Sequence, residues 1–102
     1  MQLGIIDRIQ LLNILPEQGG IVTLRIVAEL REALSFSESD IAEANIQQSP
    51  DGRITWDATS DLKKNVEIGN IAKDIIKAAL KKLDDEQKLT AGLVPIWDRF
   101  MA

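Results

Sequence analysis

Asn70-Ile71-Ala72-Lys73-Asp74-Ile75-Ile76-Lys77-Ala78-Ala79-Leu80-Lys81-Lys82-Leu83 carries apolar residues at helical spacing. At about 100° per residue, Ile71, Ala72, Ile75, Ile76, Ala79, Leu80 and Leu83 fill one arc of roughly 180°. Asn70, Lys73, Asp74, Lys77, Lys81 and Asp84 fill the opposite arc. Lys82 falls at the edge of the apolar arc, where its stem can lie over apolar surface while the ammonium stays wet. A helix with one such face must be covered by other elements, and the rest of the chain is read as that cover.

Upstream, Leu3 to Leu15 reads as a helix ended by Pro16, because the residue before a proline is pushed out of the α region. Its Leu and Ile positions run nearly all the way round. Ile5, Ile9 and Leu12 are assigned to the core. Leu3, Ile6 and Ile14 are left over as a face for self-association, and a twofold dimer is the commonest way to close such a face. Pro16 to Gly20 is a turn that lacks the lysine and Ser/Thr of a phosphate-binding loop. Thr23 to Leu34 reads as a second helix with Thr23 as N-cap and Ile26, Val27, Leu30, Ala33 and Leu34 inward. Ser37 and Asp40 have capping-box spacing, and Phe36 and Ile41 have staple spacing, so a short helix runs from Ser37 to about Ala44 or Asn45.

Ser49-Pro50-Asp51-Gly52 is a hairpin turn, with glycine in the left-handed position. Ile54 and Trp56 alternate after it, and Val66 and Ile68 alternate after a polar loop over 57–65. These four are expected to face the helices from a small antiparallel sheet. After the Asn70 helix and the polar stretch Asp84 to Lys88, a last helix starts either at Thr90 or near Pro95. It presents Leu93, Trp97 and Phe100 or Met101 on one face.

The expected fold is therefore α+β in a single domain over 1–102. Two N-terminal helices precede a short capped helix, a small antiparallel sheet of two or three strands, and two C-terminal helices. A hydrophobic content of 45% over 102 residues is enough for one core. No apolar run reaches the roughly 18 residues of a membrane span, and the N-terminus lacks a basic region of the secretory type, so a cytoplasmic protein is expected.

Histidine and cysteine are both absent, which removes the imidazole base, the thiolate nucleophile and the usual soft metal ligands. The acidic groups Glu38/Asp40/Glu43, Asp57/Asp61 and Asp84/Asp85/Glu86 lack the alternating oxygen ligands of a calcium loop and read as solvated charge. No catalytic residue, cofactor site or metal site is assigned. The helix order also suits a winged-helix DNA-binding domain. The helix that would enter the groove carries Glu38, Asp40 and Glu43 with no base, and the net charge is −4, so nucleic acid is disfavoured.

The runs Asp7-Arg8, Leu11-Leu12, Ile14-Leu15-Pro16, Thr23-Leu24, Leu30-Arg31-Glu32 and Leu34-Ser35-Phe36-Ser37-Glu38 resemble small proteins encoded in bacteriophages and prophages. Ile54-Thr55-Trp56, Glu67-Ile68-Gly69, Asp74-Ile75-Ile76, Leu80 to Asp84 and Lys88-Leu89-Thr90 extend the resemblance over nearly the whole chain. These are caps, turns and core positions, so the resemblance implies a phage-type context and transfers no functional residue. The expected function is a non-enzymatic protein-interaction domain, a phage accessory or assembly protein with a protein partner or a second copy of itself. A winged-helix-like regulator is the alternative.

Overall fold

The computed structural model describes residues 1–57, 59 and 61–101. Strand β1 (Gln2–Gly4) leads directly into helix α1 (Ile5–Ile14). Helices α2 (Ile21–Leu34) and α3 (Glu38–Ala44) follow, then strands β2 (Gln47–Gln48), β3 (Ile54–Thr55) and β4 (Lys63–Asn65). Helix α4 (Asn70–Asp85), a 3₁₀ turn (Ala91–Leu93) and helix α5 (Val94–Met101) complete the chain. The fold is α+β, with helices at both ends of the chain and two-stranded antiparallel sheets.

Helix α4 is covered by α1, α2 and α5. Its Ala72, Ile76 and Leu80 are buried, with Leu3, Leu11, Leu15, Val27, Leu30, Leu34, Leu93, Ile96 and Phe100 around them. The cover stops short of the full apolar arc: Ile71 was expected inside and is 63% exposed. Helix α5 opens with Pro95 in its first turn, where a missing N–H costs nothing. Thr90 precedes the 3₁₀ turn, which joins α5 with no loop between them. Both expected start points are thus used, one for each helical type.

Helix α3 is capped as its sequence indicates. Asp40 N–H donates to Ser37 Oγ at 3.1 Å, and Ser37 N–H donates to Asp40 Oδ2 at 3.1 Å. Its other end closes at Asn45 in the left-handed region. Ile41 is 43% exposed, so at the position of the expected staple with Phe36 it is only partly covered.

Four expectations are corrected. Leu3 belongs to β1, not to the first helix, and pairs opposite Lys64 in an antiparallel ladder. The strand near the C-terminal half is Lys63–Asn65 rather than Val66–Ile68, because its pairing is set by β1 and continues through Val66 N–H to the Met1 carbonyl. Helix α2 begins at Ile21, with Gly20 as N-cap in place of Thr23. The expected sheet of Ile54, Trp56, Val66 and Ile68 is two separate ladders, β1–β4 and β2–β3. Val66 is buried and Ile68 packs against the core, whereas Ile54 is exposed. Within the 57–65 stretch, Ala58 and Ser60 lie outside the described residues. The hairpin turn itself holds, with Gly52 at φ +87°.

Leu80 is fully buried at the centre of this cover, so Leu80→Ala is expected to lose about 2–5 kcal/mol in urea unfolding. Ser37→Ala should lose about 1 kcal/mol in the same measurement. An unchanged midpoint for Leu80→Ala would remove α4 from the centre of the fold.

Candidate functional site

Each acidic group gives at least one member to a local structural contact. Asp40 is taken by Ser37 and by Arg8. Asp57 accepts from the backbone N–H and the hydroxyl of Thr59, which hold its carboxyl below the ordinary aspartate range. Lys81 pairs with Asp85 at 2.8 Å, and Lys88 pairs with Glu86 at 3.3 Å. Among the described residues, no three carboxylates come together as a metal cage requires. No described helix is long and apolar enough to cross a membrane.

The sequence reading missed Arg8, which is 0% exposed. Helical spacing from Ile5 through Leu11 to Leu15 passes over it, so it lies on the buried side of α1. Its Nε donates to the Leu34 carbonyl at 3.0 Å, and its Nη2 donates to the Ser35 carbonyl and to Asp40 Oδ2. Its guanidinium carbon lies 4.2 Å from the Phe36 ring centroid, a cation–π stack. Lys64 Nζ donates to the Ala33 carbonyl at 2.9 Å. Two cations therefore meet the last carbonyls of α2, the negative end of its dipole. Next to Arg8 in the chain, Asp7 Oδ2 accepts from Gly4 N–H and from Arg99 Nη1, tying α5 to the start of α1. These contacts join α1 to the end of α2, to α3 and to α5.

The self-association face expected from Leu3, Ile6 and Ile14 is not one surface. Leu3 is fully buried, Ile14 packs against the core, and Ile6 alone is exposed, at 54%. Ile6 lies with Ile54 and Trp56 around a shallow hollow beside the hairpin. Trp56 is half-buried there, while Trp97 packs on the core.

The larger uncovered apolar surface lies between α2 and α4. Val22 is 67% exposed on α2, and Ile71 is 63% exposed on α4. Two adjoining hollows, of about 630 and 410 Å³, run along this seam and share Ile26 and Ile71. Glu29 and Glu67 line the first and Lys82 lines the second, its stem over apolar surface as its edge position on α4 indicates. Val22 precedes a helix that begins at Thr23, and Ile71 falls within a single inward arc of α4, so the sequence marks neither as exposed apolar surface.

Comparisons of the chain with family models, with curated proteins and with solved structures give no match.

The Arg8 cluster carries a pH signature. Partial burial acts to raise the Asp40 pKa, but the Ser37 N–H and the Arg8 guanidinium outweigh it, and the carboxyl ends below its ordinary value. A carboxyl with a depressed folded-state pKa stabilises above its unfolded value of about 3.9 and loses that contribution as pH falls through the folded value. Stability measured by urea midpoint should therefore fall below about pH 4, and Asp40→Asn should flatten part of that fall. Arg8→Met should lose about 3 kcal/mol or more at neutral pH, since three acceptors lose their donor. Arg8→Lys should recover little of it, because one ammonium lacks the planar fork.

Proposed function

We propose that this protein is a non-enzymatic protein-interaction domain of a phage-type accessory or assembly protein, and that the seam between α2 and α4 is its contact surface. The observation that carries the reading is the pair of branched aliphatic side chains, Val22 and Ile71, both mostly in water on facing helices. Single exposed apolar residues are ordinary, but a lined apolar groove with a charged rim is the form a partner surface takes. The absence of histidine and cysteine, with Asp40, Asp85 and Glu86 in ion pairs, supports a binding role over a catalytic one. The winged-helix alternative draws less support. Glu38 and Asp40 open α3, and Asp40 is bound to Arg8, so the helix that would face phosphates presents carboxylates.

Replacing Ile71 by the photoreactive residue p-benzoylphenylalanine tests the surface without naming its occupant. Irradiation in cells should give a covalent protein adduct at position 71. The same probe at Asn13, an exposed polar position on α1, should give none. No adduct at position 71, or equal adducts at both, would overturn the assignment of the surface. Titration against duplex DNA at low salt should show no sequence-dependent binding, and a dissociation constant at or below about 10⁻⁸ M for one sequence would restore the DNA-binding reading.

A further inference from the structure

The seam between α2 and α4 carries more negative charge than positive. Glu29 and Glu67 line its larger hollow beside Ile26, Leu30 and Ile71. Asp74 and Lys82 line the smaller one beside Val22, Ile26 and Ile75. Three carboxylates thus stand against one ammonium in the lining. All four groups are exposed, and none is in an ion pair among the described residues. By contrast, Asp7, Asp40, Asp85 and Glu86 are each met by a cation of the same chain. Arg25 stands one turn before Glu29 on α2 but outside both hollows. The start of α4 opens on the larger hollow at Gly69 and Asn70. A helix N-terminus carries only about half a positive charge, which two carboxylates exceed.

Shape sets the other half of the partner's chemistry. The lining comes from α2, α4 and the segments that precede them. An extended segment laid there would set its backbone N–H and C=O groups against aliphatic side chains, whereas a helix pairs its own. The α2 side of the groove runs from Val22 to Ala33, roughly 16 Å at about 1.5 Å per residue, or about three turns of a partner helix. An apolar side chain over Glu29 and Glu67 would strip water from two carboxylates and return nothing. A lysine or arginine there lays its stem on the aliphatic lining and carries its head to the carboxylates.

We infer that the groove takes a basic amphipathic helix of another protein, with its apolar stripe along the seam and a Lys or Arg over Glu29 and Glu67. This rests on the seam being the contact surface. The section with Asp74 and Lys82 is neutral in sum and receives the apolar part of the stripe against Val22, Ile75 and Ala78.

A library of helices displayed on a stable helical hairpin tests this. The apolar stripe is fixed as leucine, and the flanking positions are drawn equally from Lys, Gln and Glu. Selection on the purified chain at low salt should enrich Lys over Glu at the flanks at least about tenfold. Glu29→Gln with Glu67→Gln, with folding checked by thermal melt, should remove most of that preference. Lys82→Gln should leave it in place. Helices selected without a charge preference, or with Glu preferred, overturn the inference, as does a preference that persists in the double glutamine variant. No enrichment over the Val22→Asp, Ile71→Asp variant overturns it as well. The contact surface is judged separately by the photoadduct at position 71. An adduct whose attached segment is acidic, or is a second copy of this chain, overturns the basic partner and leaves the surface in place, and no adduct overturns both.

Discussion

The corner between α2 and α3 depends on one buried guanidinium. Arg8 is brought inside by the helical phase of α1, between Ile5 and Leu11, and once there it must be satisfied. Leu34, Ser35 and Asp40 supply acceptors, and Phe36 supplies a ring face. Nη1 is buried without a hydrogen-bond partner among the described residues, so the stack on Phe36 is where its charge is met. Each contact also answers a need of the other partner. The last carbonyls of α2 have no intrahelical donor, and a cation at that end suits the dipole. Asp40 already caps α3, and its remaining lone pairs take Arg8. One side chain therefore fixes where α2 ends, where α3 begins and how both lie on α1.

That arrangement determines what α4 can bury. Helix α2 is held at its C-terminal end by Arg8 and Lys64, and its Val27, Leu30 and Leu34 face the core. With its rotation fixed, Val22 lies exposed along the α2–α4 seam, and Ile26 lines it half-buried. Helix α4 meets α1, α2 and α5 on one side, and Ile71 is left mostly exposed. The exposed groove follows from a small domain having too few elements to wrap a wide apolar arc.

The sequence was legible where structure is local. The α4 periodicity, the Ser37–Asp40 cap and the Pro50-Asp51-Gly52 turn each depend on residues a few positions apart, and each forms as its chemistry requires. Strand β1 was illegible because three residues continuous with a helical pattern carry no period of their own. Its partner lies at Lys63–Asn65, and only long-range pairing distinguishes Leu3 as a strand residue. Arg8 is a related case. The Ile5, Leu11 and Leu15 spacing places it inward, but a charge there is believable only when acceptors from Leu34, Ser35 and Asp40 are seen beside it. For the groove between α2 and α4, Val22 and Ile26 on one helix and Ile71 and Ile75 on the other stand at helical spacing in the sequence. Which stripe faces the core and which faces water depends on the number of covering helices, and that is a tertiary fact.

The energetics say how much of the groove an occupant must cover. Burying a Val or Ile side chain fully is worth about 1.5–3 kcal/mol. Val22 and Ile71 are each about two-thirds exposed, so closing both gains roughly 2–4 kcal/mol. Association itself costs an estimated 4–15 kcal/mol in lost freedom. Contact at the two protruding residues alone therefore does not hold a complex together. Ile26, Ile75 and Ala78 must be covered as well, and the charged groups that line the groove, Glu29, Glu67, Asp74 and Lys82, must keep water or gain partners when it closes. An occupant that runs along the groove meets both requirements more fully than a point contact at Val22 or Ile71.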